Sequence, residues 1–366
     1  MNPRIFPLSS LSPAQLNAWR ELAEQAAEPN PFMEPAFVLA AAQHLRSGRL
    51  FLFAPGRGNR FDAAVVLQPR HAFSKVPVPC FATRTNKYCF LGTPLIDAAR
   101  VESGVAELIA MAKAGPYPLL ALELLGNDGP VVEALEEVAA AQRTALVRWN
   151  IADRAALRRR HELTYLTNTH RTKRRRELNR LRRLAEREFS GISRTVDRSA
   201  EETAYDDFLR LEQSGWKGRV GTALADAPGD ADFFRQACRA FAAEDRLQLL
   251  SWEVAGNRLS MKCNFRAGRG VFCFKIAYDE NFAQYSPGIQ LEVDNIELFH
   301  RERRAEWMDS CAEPDNTMIN RLWPDRRSIS TVLIAADHGV GRVLPRTMPR
   351  IARLRDRVQS ARGARA

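Results

Sequence analysis

The 366-residue chain has little lysine: seven lysines stand against 47 arginines. Its six cysteines (Cys80, Cys89, Cys238, Cys263, Cys273 and Cys311) contain no C-x-x-C pair, and its six histidines show no metal-ligand spacing. Buried free thiols and no metal site are therefore predicted. The G-x-S-x-G and P-loop signatures are missing, so no nucleophile elbow or Walker-type phosphate cradle is expected. Long apolar runs are missing as well. The stretches 36–42 and 118–125 fall far short of the roughly 20 residues that cross a bilayer. The N-terminal MNPRIFPLSSLSPAQLNAW lacks the apolar core of a secretory signal. A soluble cytoplasmic protein is predicted.

What is present is a globular balance of 45% hydrophobic and 27% charged residues, enough for one large domain or two ordinary ones. The net charge of +11 is unevenly placed. Segment 168–190 carries +6 and segment 341–366 carries +7, which leaves the remainder at −2. The basic character thus lives in one helix and one tail. That argues against a surface that tracks DNA and leaves room for a local anionic partner.

The periodicity predicts a mixed α/β (α+β) chain. Ser12-Pro13 reads as an N-cap with proline at the first helical position. Strands are predicted at 50–56 and 61–69, near 80–83 and 88–91, and at 118–125 and 144–150, with helices at 99–114 and 129–142. The second half opens with the basic helix 169–189, then a strand near 192–197 and a helix at 199–213. After a Gly-rich loop at 214–224 comes a helix at 230–243. Three strands follow at 246–255, 258–267 and 270–280, joined by turns at Gly256-Asn257 and Gly268-Arg269. A helix at 288–304, strands at 305–311 and 328–335, and a basic helix near 346–358 end the chain. Both halves repeat one order of elements. Lobes at 1–155 and 156–345 are expected, with a basic tail at 346–366.

Several residues carry candidate chemistry. Ser286-Pro287-Gly288 precedes a helix and reads either as an anion cradle or as an ordinary strand-to-helix turn. Tyr278, Asp279 and Glu280 end a strand. Asp279 or Glu280 is a candidate general base, or both are solvated strand-end carboxylates. Alternation puts Phe272, Phe274, Ile276 and Tyr278 on one face, with Cys273, Lys275, Ala277 and Asp279 on the other. Ser260, Lys262 and Asn264 share a face of their strand, as do Ser251 and Glu253 of theirs. If the register aligns them with Lys275, they line either a cleft or the wet face of a sheet. In the loop SGWKGRVGTAL, Trp216 offers a shelf and Lys217 a cation, or Trp216 simply packs. The arginines of helix 169–189 read as a solvated face, a phosphate contact (tRNA or coenzyme A) or an anionic-membrane contact. Trp323-Pro324-Asp325-Arg326-Arg327 reads as an Asp–Arg turn clamp.

Read together, T-H-R-T-K-R-R-R-E-L-N-R-L-R-R-L (169–184), F-L-R-L-E-Q-S-G-W-K-G-R-V-G-T-A-L (208–224), F-F-R (233–235), I-A-Y-D-E (276–280) and F-A-Q-Y-S-P-G-I-Q-L (282–291) resemble the GNAT acyltransferase superfamily. The likeness points to its CelD-like branch, linked to cellulose and exopolysaccharide synthesis, and to the FemABX transferases. N-P-F-M-E-P-A-F-V (30–38) resembles the opening of these proteins. The resemblance implies two tandem GNAT-like lobes, each a mixed, mainly antiparallel sheet flanked by helices. It implies an N-acyltransferase that moves an acyl group from acyl-CoA (acetyl-CoA) to an amine, such as an amino sugar or a cell-envelope precursor. An aminoacyl-tRNA-dependent transferase and a non-catalytic partner of polysaccharide machinery are the alternatives. It places Gln284, Tyr285, Ser286 and Gly288 at the donor and the Trp216-Lys217 loop near the acceptor. The strand pattern adds Lys262 and Asn264 as substrate-binding candidates, and Tyr278, Asp279, Glu280, Glu253 and Lys275 as catalytic candidates. The superfamily's Q/R-x-x-G-x-G/A loop is altered here: Gln284 fits its first position, but Pro287 takes the fourth.

Overall fold

The computed structural model describes residues 4–58, 60–74, 77–160, 172–343 and 347. In chain order the first part contains β1 (Ile5–Pro7), α1 (Pro13–Gln25), α2 (Pro35–His44), β2 (Phe51–Phe53), β3 (Gly56–Arg57), β4 (Arg60–Phe61), β5 (Ala63–Arg70), β6 (Cys80–Ala82), β7 (Leu95–Ile96), α3 (Val101–Ala114), β8 (Leu119–Gly126), α4 (Pro130–Ala141) and β9 (Leu146–Arg158). The rest contains α5 (Thr172–Glu188), β10 (Ser193–Asp197), α6 (Thr203–Ser214), α7 (Trp216–Arg219), α8 (Asp230–Ala243), β11 (Leu247–Val254), β12 (Asn257–Ala267), β13 (Gly270–Tyr278), α9 (Pro287–Glu302), β14 (Trp307–Asp309), α10 (Thr317–Leu322) and β15 (Asp325–Ala335).

These elements form two compact units that interleave in sequence. Unit 1 takes the described residues of 1–35, 47–152 and 328–366; unit 2 takes 36–46 and 153–327. Continuous lobes at 1–155 and 156–345 were the expectation. The difference arises because each sheet ends on a strand from a distant part of the chain. Unit 1 runs β1-β2-β5-β6-β8-β15, and unit 2 runs β10-β11-β12-β13-β14-β9. In unit 1, β6 pairs β8 in parallel and β8 pairs β15 antiparallel. In unit 2, β13 pairs β14 in parallel and β14 pairs β9 antiparallel. Each unit is thus an antiparallel meander closed by one parallel pair and a last antiparallel strand. The repeated order of elements holds in three dimensions.

Local chemistry sets the element ends. Ser12 caps α1 in a capping box: the Gln15 amide donates to Ser12 Oγ (3.3 Å) and the Ser12 amide to Gln15 Oε1 (2.8 Å). The β11–β12 turn needs two left-handed residues, Ala255 and Gly256 at φ 50° and 83°, as a tight hairpin of this twist does. Strand β9 continues eight residues beyond the expected end at 150, passing Asn150 at φ 52°. No strand forms at Tyr88–Leu91; that segment is a loop in which the Cys89 thiol donates to Leu91 O. Helix α10 was not expected. The expected helix at 346–358 and the tail lie outside the described residues, apart from 347.

In unit 2 the sheet is covered on both faces. Helices α6 and α8, with α2, bury one face through an aromatic cluster that includes Phe37, Phe208, Phe234, Phe241, Phe265 and Phe274. Helices α5 and α9 bury the other through Leu178, Ala185, Leu250, Trp252, Leu291 and Ile296. All six cysteines are buried free thiols.

Candidate functional site

The register separates the polar residues that alternation alone had grouped. Lys262 lies opposite Leu250 and Ile276, whereas Ser251 lies opposite Met261 and Lys275 opposite Cys263. Cross-strand partners share a face, so Lys262 and Lys275 are on opposite faces. A bulge causes part of this. Asn264 pairs with Cys273 and Cys263 with Lys275, leaving Phe274 unpaired. Phe274 therefore turns inward with Phe265, while Ile276 and Tyr278 share the face of Lys262. The expected single polar stripe does not form, and neither face is wet.

On the α9 face, Lys262 donates to Glu292 at 2.5 Å and its ammonium lies 5.7 Å from the Trp323 ring centre. Trp323 Nε1 and Asn295 Nδ2 both donate to Glu292 Oε1 at 3.0 Å. Asn264 donates to Gln248 at 2.8 Å, and Ser260 Oγ to Pro287 O at 2.8 Å. Burial alone would lower the Lys262 pKa, but the Cys273 sulfur and the Glu292 carboxylate raise it above the ordinary lysine value. Burial pushes the Cys273 thiol up to about 12, so it is neutral at pH 7 and Glu292 is the counter-ion. Lys262 and Asn264 are therefore enclosed packing groups. The Trp-Pro-Asp-Arg-Arg segment supplies Trp323 to this network. Its Asp325 accepts from the Arg158 amide (2.8 Å) and pairs with Arg160 (2.5 Å), both outside the segment, while Arg327 pairs with Asp309 (2.9 Å); the expected carboxylate clamp within the turn does not form.

On the α6 face, Glu253 is buried and accepts from Arg198 Nη2 and Ser251 Oγ, both at 2.7 Å, with Arg258 Nε at 3.3 Å. It is saturated and is not an open base. Glu212 is also buried. Its Oε1 takes Lys217 at 2.8 Å and Lys275 at 3.1 Å, and its Oε2 takes the Leu224 amide at 2.8 Å. Burial raises the Glu212 pKa, but Lys275 and Lys217 outweigh it and hold the carboxyl below its usual value.

The accessible chemistry lies along the edge of β13. Strand β14 pairs with it only over Gly270–Phe272. From Cys273 to Tyr278 no described strand covers that side. The Asp279 amide donates to Leu259 O at 2.9 Å, across to β12. Antiparallel ladders alternate, so Lys275 and Ala277 also bond β12, and the backbone groups of Ile276 and Tyr278 point to the open edge. Ile276 O indeed accepts from Lys217 Nζ at 3.2 Å. Gly215 abuts the same edge, since a Cβ there would lie 3.7 Å from Tyr278 O. The Tyr278 ring lies against Gly288, where a Cβ would meet it at 3.4 Å.

Beside this edge stand Trp216, half-exposed, and the turn that opens α9. Glu280 accepts from the Trp216 amide at 2.5 Å and pairs with Arg219; that hydrogen bond to Arg219 is the main reason its pKa is lowered. Asp279 caps the Asn281 amide at 3.0 Å. Both carboxylates are thus occupied as caps. Gln284 is exposed, Tyr285 is buried, and Ser286 adopts a left-handed conformation (φ 53°) with no side-chain cap. Pro287 has no N–H, and the amides of Ile289 and Gln290 both bond Ser286 O at 3.0 Å. Of the first-turn amides, only that of Gly288 is left for an anion, so the cradle is thin.

Glu212 and Glu292 were missed from the sequence. Each was legible as a carboxylate on the apolar stripe of its helix, Glu212 after Tyr205, Phe208 and Leu209, and Glu292 before Asn295, Ile296 and Phe299. The open backbone of Ile276 leaves no mark in the sequence.

Unit 1 has the matching parallel pair, but its gap is filled. The Thr83 amide bonds Ala121 O (3.1 Å), the Glu123 amide bonds Thr83 Oγ1 (2.9 Å), the Gly92 amide bonds Leu124 O (3.0 Å) and the Gly126 amide bonds Thr93 Oγ1 (3.0 Å). The chain's own segment 83–93 occupies the β8 edge.

Residues 172–314, from α5 through β14, match the family model described as an acetyltransferase (GNAT) domain. The matched segment falls within unit 2. No curated protein matches the chain significantly. Among solved structures, FemX is similar over 92% of this chain and 99% of its own, at 10% identity and a TM-score of 0.59. L-PGS from Bacillus licheniformis is similar over 94% and 96%, at 11% identity and 0.53. The C-terminal domain of a putative lysylphosphatidylglycerol synthetase from Agrobacterium fabrum is similar over 91% and 95%, at 10% identity and 0.53. At these identities the likeness is one of fold.

Proposed function

We propose that unit 2 is an N-acyltransferase that holds an acyl-CoA along the open edge of β13 and passes the acyl group to an amine. The observation that carries this reading is the three-residue limit of the β13–β14 pairing, inside the segment that matches the GNAT family model. A donor chain that carries amides adds to such an edge as an extra strand. The Ile276 and Tyr278 backbone groups bond the donor, and a thioester oxygen that develops charge meets a fixed N–H. The amine nitrogen attacks the carbonyl carbon and the carbon–sulfur bond breaks. Tyr278, whose hydroxyl has no partner among the described residues, protonates the leaving thiolate, and the amine's proton goes to solvent. Trp216 and Lys217 flank the acceptor's approach. Gly288 and Ser286 border the donor phosphates. An amino sugar or a polysaccharide or cell-envelope precursor is the acceptor class this reading favours.

Calorimetric titration with acetyl-CoA and longer acyl-CoAs tests the donor; heat is expected, and silence with all of them removes acyl-CoA. A second reading, an aminoacyl-tRNA donor, draws on the thin anion cradle at Gly288. It predicts that activity in a crude system is destroyed by ribonuclease, and retained activity rejects it.

A further inference from the structure

Most large apolar side chains among the described residues of unit 2 are buried, yet three stand out around one rim. Ile192 is 84% exposed, Val220 61% and Trp216 50%. The Val220 amide bonds Trp216 O at 3.0 Å, so these two project from one side of the same turn. Arg219 and the Trp216 amide tie that turn to Glu280. Glu280 opens the short 3-10 segment Glu280–Tyr285, whose Phe282 packs on Phe189 at 5.1 Å between ring centres. Phe189 follows α5 and leads directly to Ile192.

Helix α5 continues the rim with charge. Leu178 and Ala185 face inward, and Arg182 is spent inside the unit on Asp294 at 2.6 Å. Arg176, Arg180, Arg183 and Arg187, spaced i, i+4, i+7 and i+11, share the outer face over about 16 Å. Arg180 pairs with Glu177 at 2.7 Å. No described carboxylate pairs with Arg176, Arg183 or Arg187.

We propose that this rim docks unit 2 on an anionic lipid surface. The arginine stripe supplies the electrostatic half of the attraction and Ile192, Val220 and Trp216 the apolar half; reversible bilayer attachment characteristically needs both. Aliphatic side chains decide between possible anionic partners. Ile192 and Val220 gain by leaving water for the acyl boundary and gain nothing against a hydrated phosphodiester backbone. The arginine face lacks the interleaved aromatics that stack on bases. Docked this way, the open β13 edge lies at the headgroup level, within reach of a lipid-linked or interfacial substrate. The docking itself does not depend on the acyl-transfer reading.

Flotation of the full chain with phosphatidylcholine vesicles, with and without phosphatidylglycerol, tests it. Binding is expected only to the anionic vesicles and should weaken as salt rises. Neutralising three arginines (Arg176→Gln, Arg183→Gln, Arg187→Gln) should weaken binding about a hundredfold, at roughly fivefold per charge. Ile192→Ser with Val220→Ser should weaken it while leaving the salt dependence in place. All five positions are exposed, and a melting curve matching the parent's shows that folding is intact. Three results overturn the proposal: no preference for anionic vesicles, binding unchanged by the arginine variant, or capture by tRNA with the vesicles ignored. The assay reads no chemistry, so its failure and that of the acyl-transfer reading are distinct.

Discussion

Replacing Lys262 with methionine tests whether the ion pair under α9 is a folding element. Methionine keeps most of the side-chain volume, so the cavity contribution is small. What changes is the charge balance. Glu292 is wholly buried and would keep only two neutral donors, Trp323 Nε1 and Asn295 Nδ2, each at 3.0 Å. Leaving a buried charge without its partner costs about 3–5 kcal/mol. For a unit of this size each kcal/mol moves Tm by roughly 2–4 °C, so Lys262→Met should melt roughly 10 °C below the parent. The double variant Lys262→Met/Glu292→Gln removes the stranded charge and keeps an acceptor for Trp323 and Asn295; it should recover at least half of the loss. The lysine pKa is raised on folding. The pair's contribution is therefore complete below the ordinary lysine value of about 10.4 and is lost only as pH rises through the folded value. The deficit of the single variant should be constant between about pH 6 and about pH 9. Calorimetric melts of the full chain measure all of this. A single variant within about 2 °C of the parent, or a double variant no better than the single, would refute the reasoning.

Three further outcomes follow from the same geometry. The Glu212 carboxyl is held below its usual value, so its contribution is present above about pH 4.3 and lost as pH falls through the lower folded value; Glu212→Gln should melt lower at pH 7 and show a shallower acid limb in Tm against pH. A Cβ at Gly218 would lie 1.8 Å from Gln213 O, so Gly218→Ala should shift α7, disturb the Lys217 and Trp216 contacts and lower turnover more than tenfold, an order-of-magnitude expectation for misplaced site groups, measured as kcat/KM. Because every cysteine is buried, a thiol reagent should label none in the native protein and all six after denaturation.

The arrangement of elements was legible in the sequence because strong local signals agreed. The hairpin glycines at Gly256 and Gly268 lie where β11, β12 and β13 turn, and the Ser12–Gln15 box opens α1. The site was less legible for reasons of register. Alternation assumes a regular ladder. The unpaired Phe274 reverses the faces within β13, so Lys262 and Lys275, which the sequence suggested as neighbours, point to opposite layers. The strand exchange that ends each sheet has no local signal either, since β9 and β15 read as ordinary strands wherever they pair. Lysine scarcity was informative in retrospect. Of seven lysines, Lys217, Lys262 and Lys275 all meet a buried carboxylate in unit 2.

Those three lysines bear on why an open strand edge can persist. A strand that loses its neighbour halfway along forfeits ladder bonds on that side and is free to twist or to recruit another chain. β13 is held from both faces instead. On one side Lys275 and Lys217 meet at Glu212, and Lys217 also reaches back to Ile276 O. On the other, its neighbour β12 is fastened to α9 by Lys262–Glu292 and by Ser260 on Pro287 O. Charged bonds to rigid helices thus replace the missing strand and fix the Ile276 backbone where a donor would need it. Unit 1 solves the same problem by filling its gap with Thr83, Gly92 and Thr93, which satisfies the β8 edge with the chain's own groups. Among the described residues the fold thus repeats its gap in both units, and the edge braced by ion pairs is the one left uncovered.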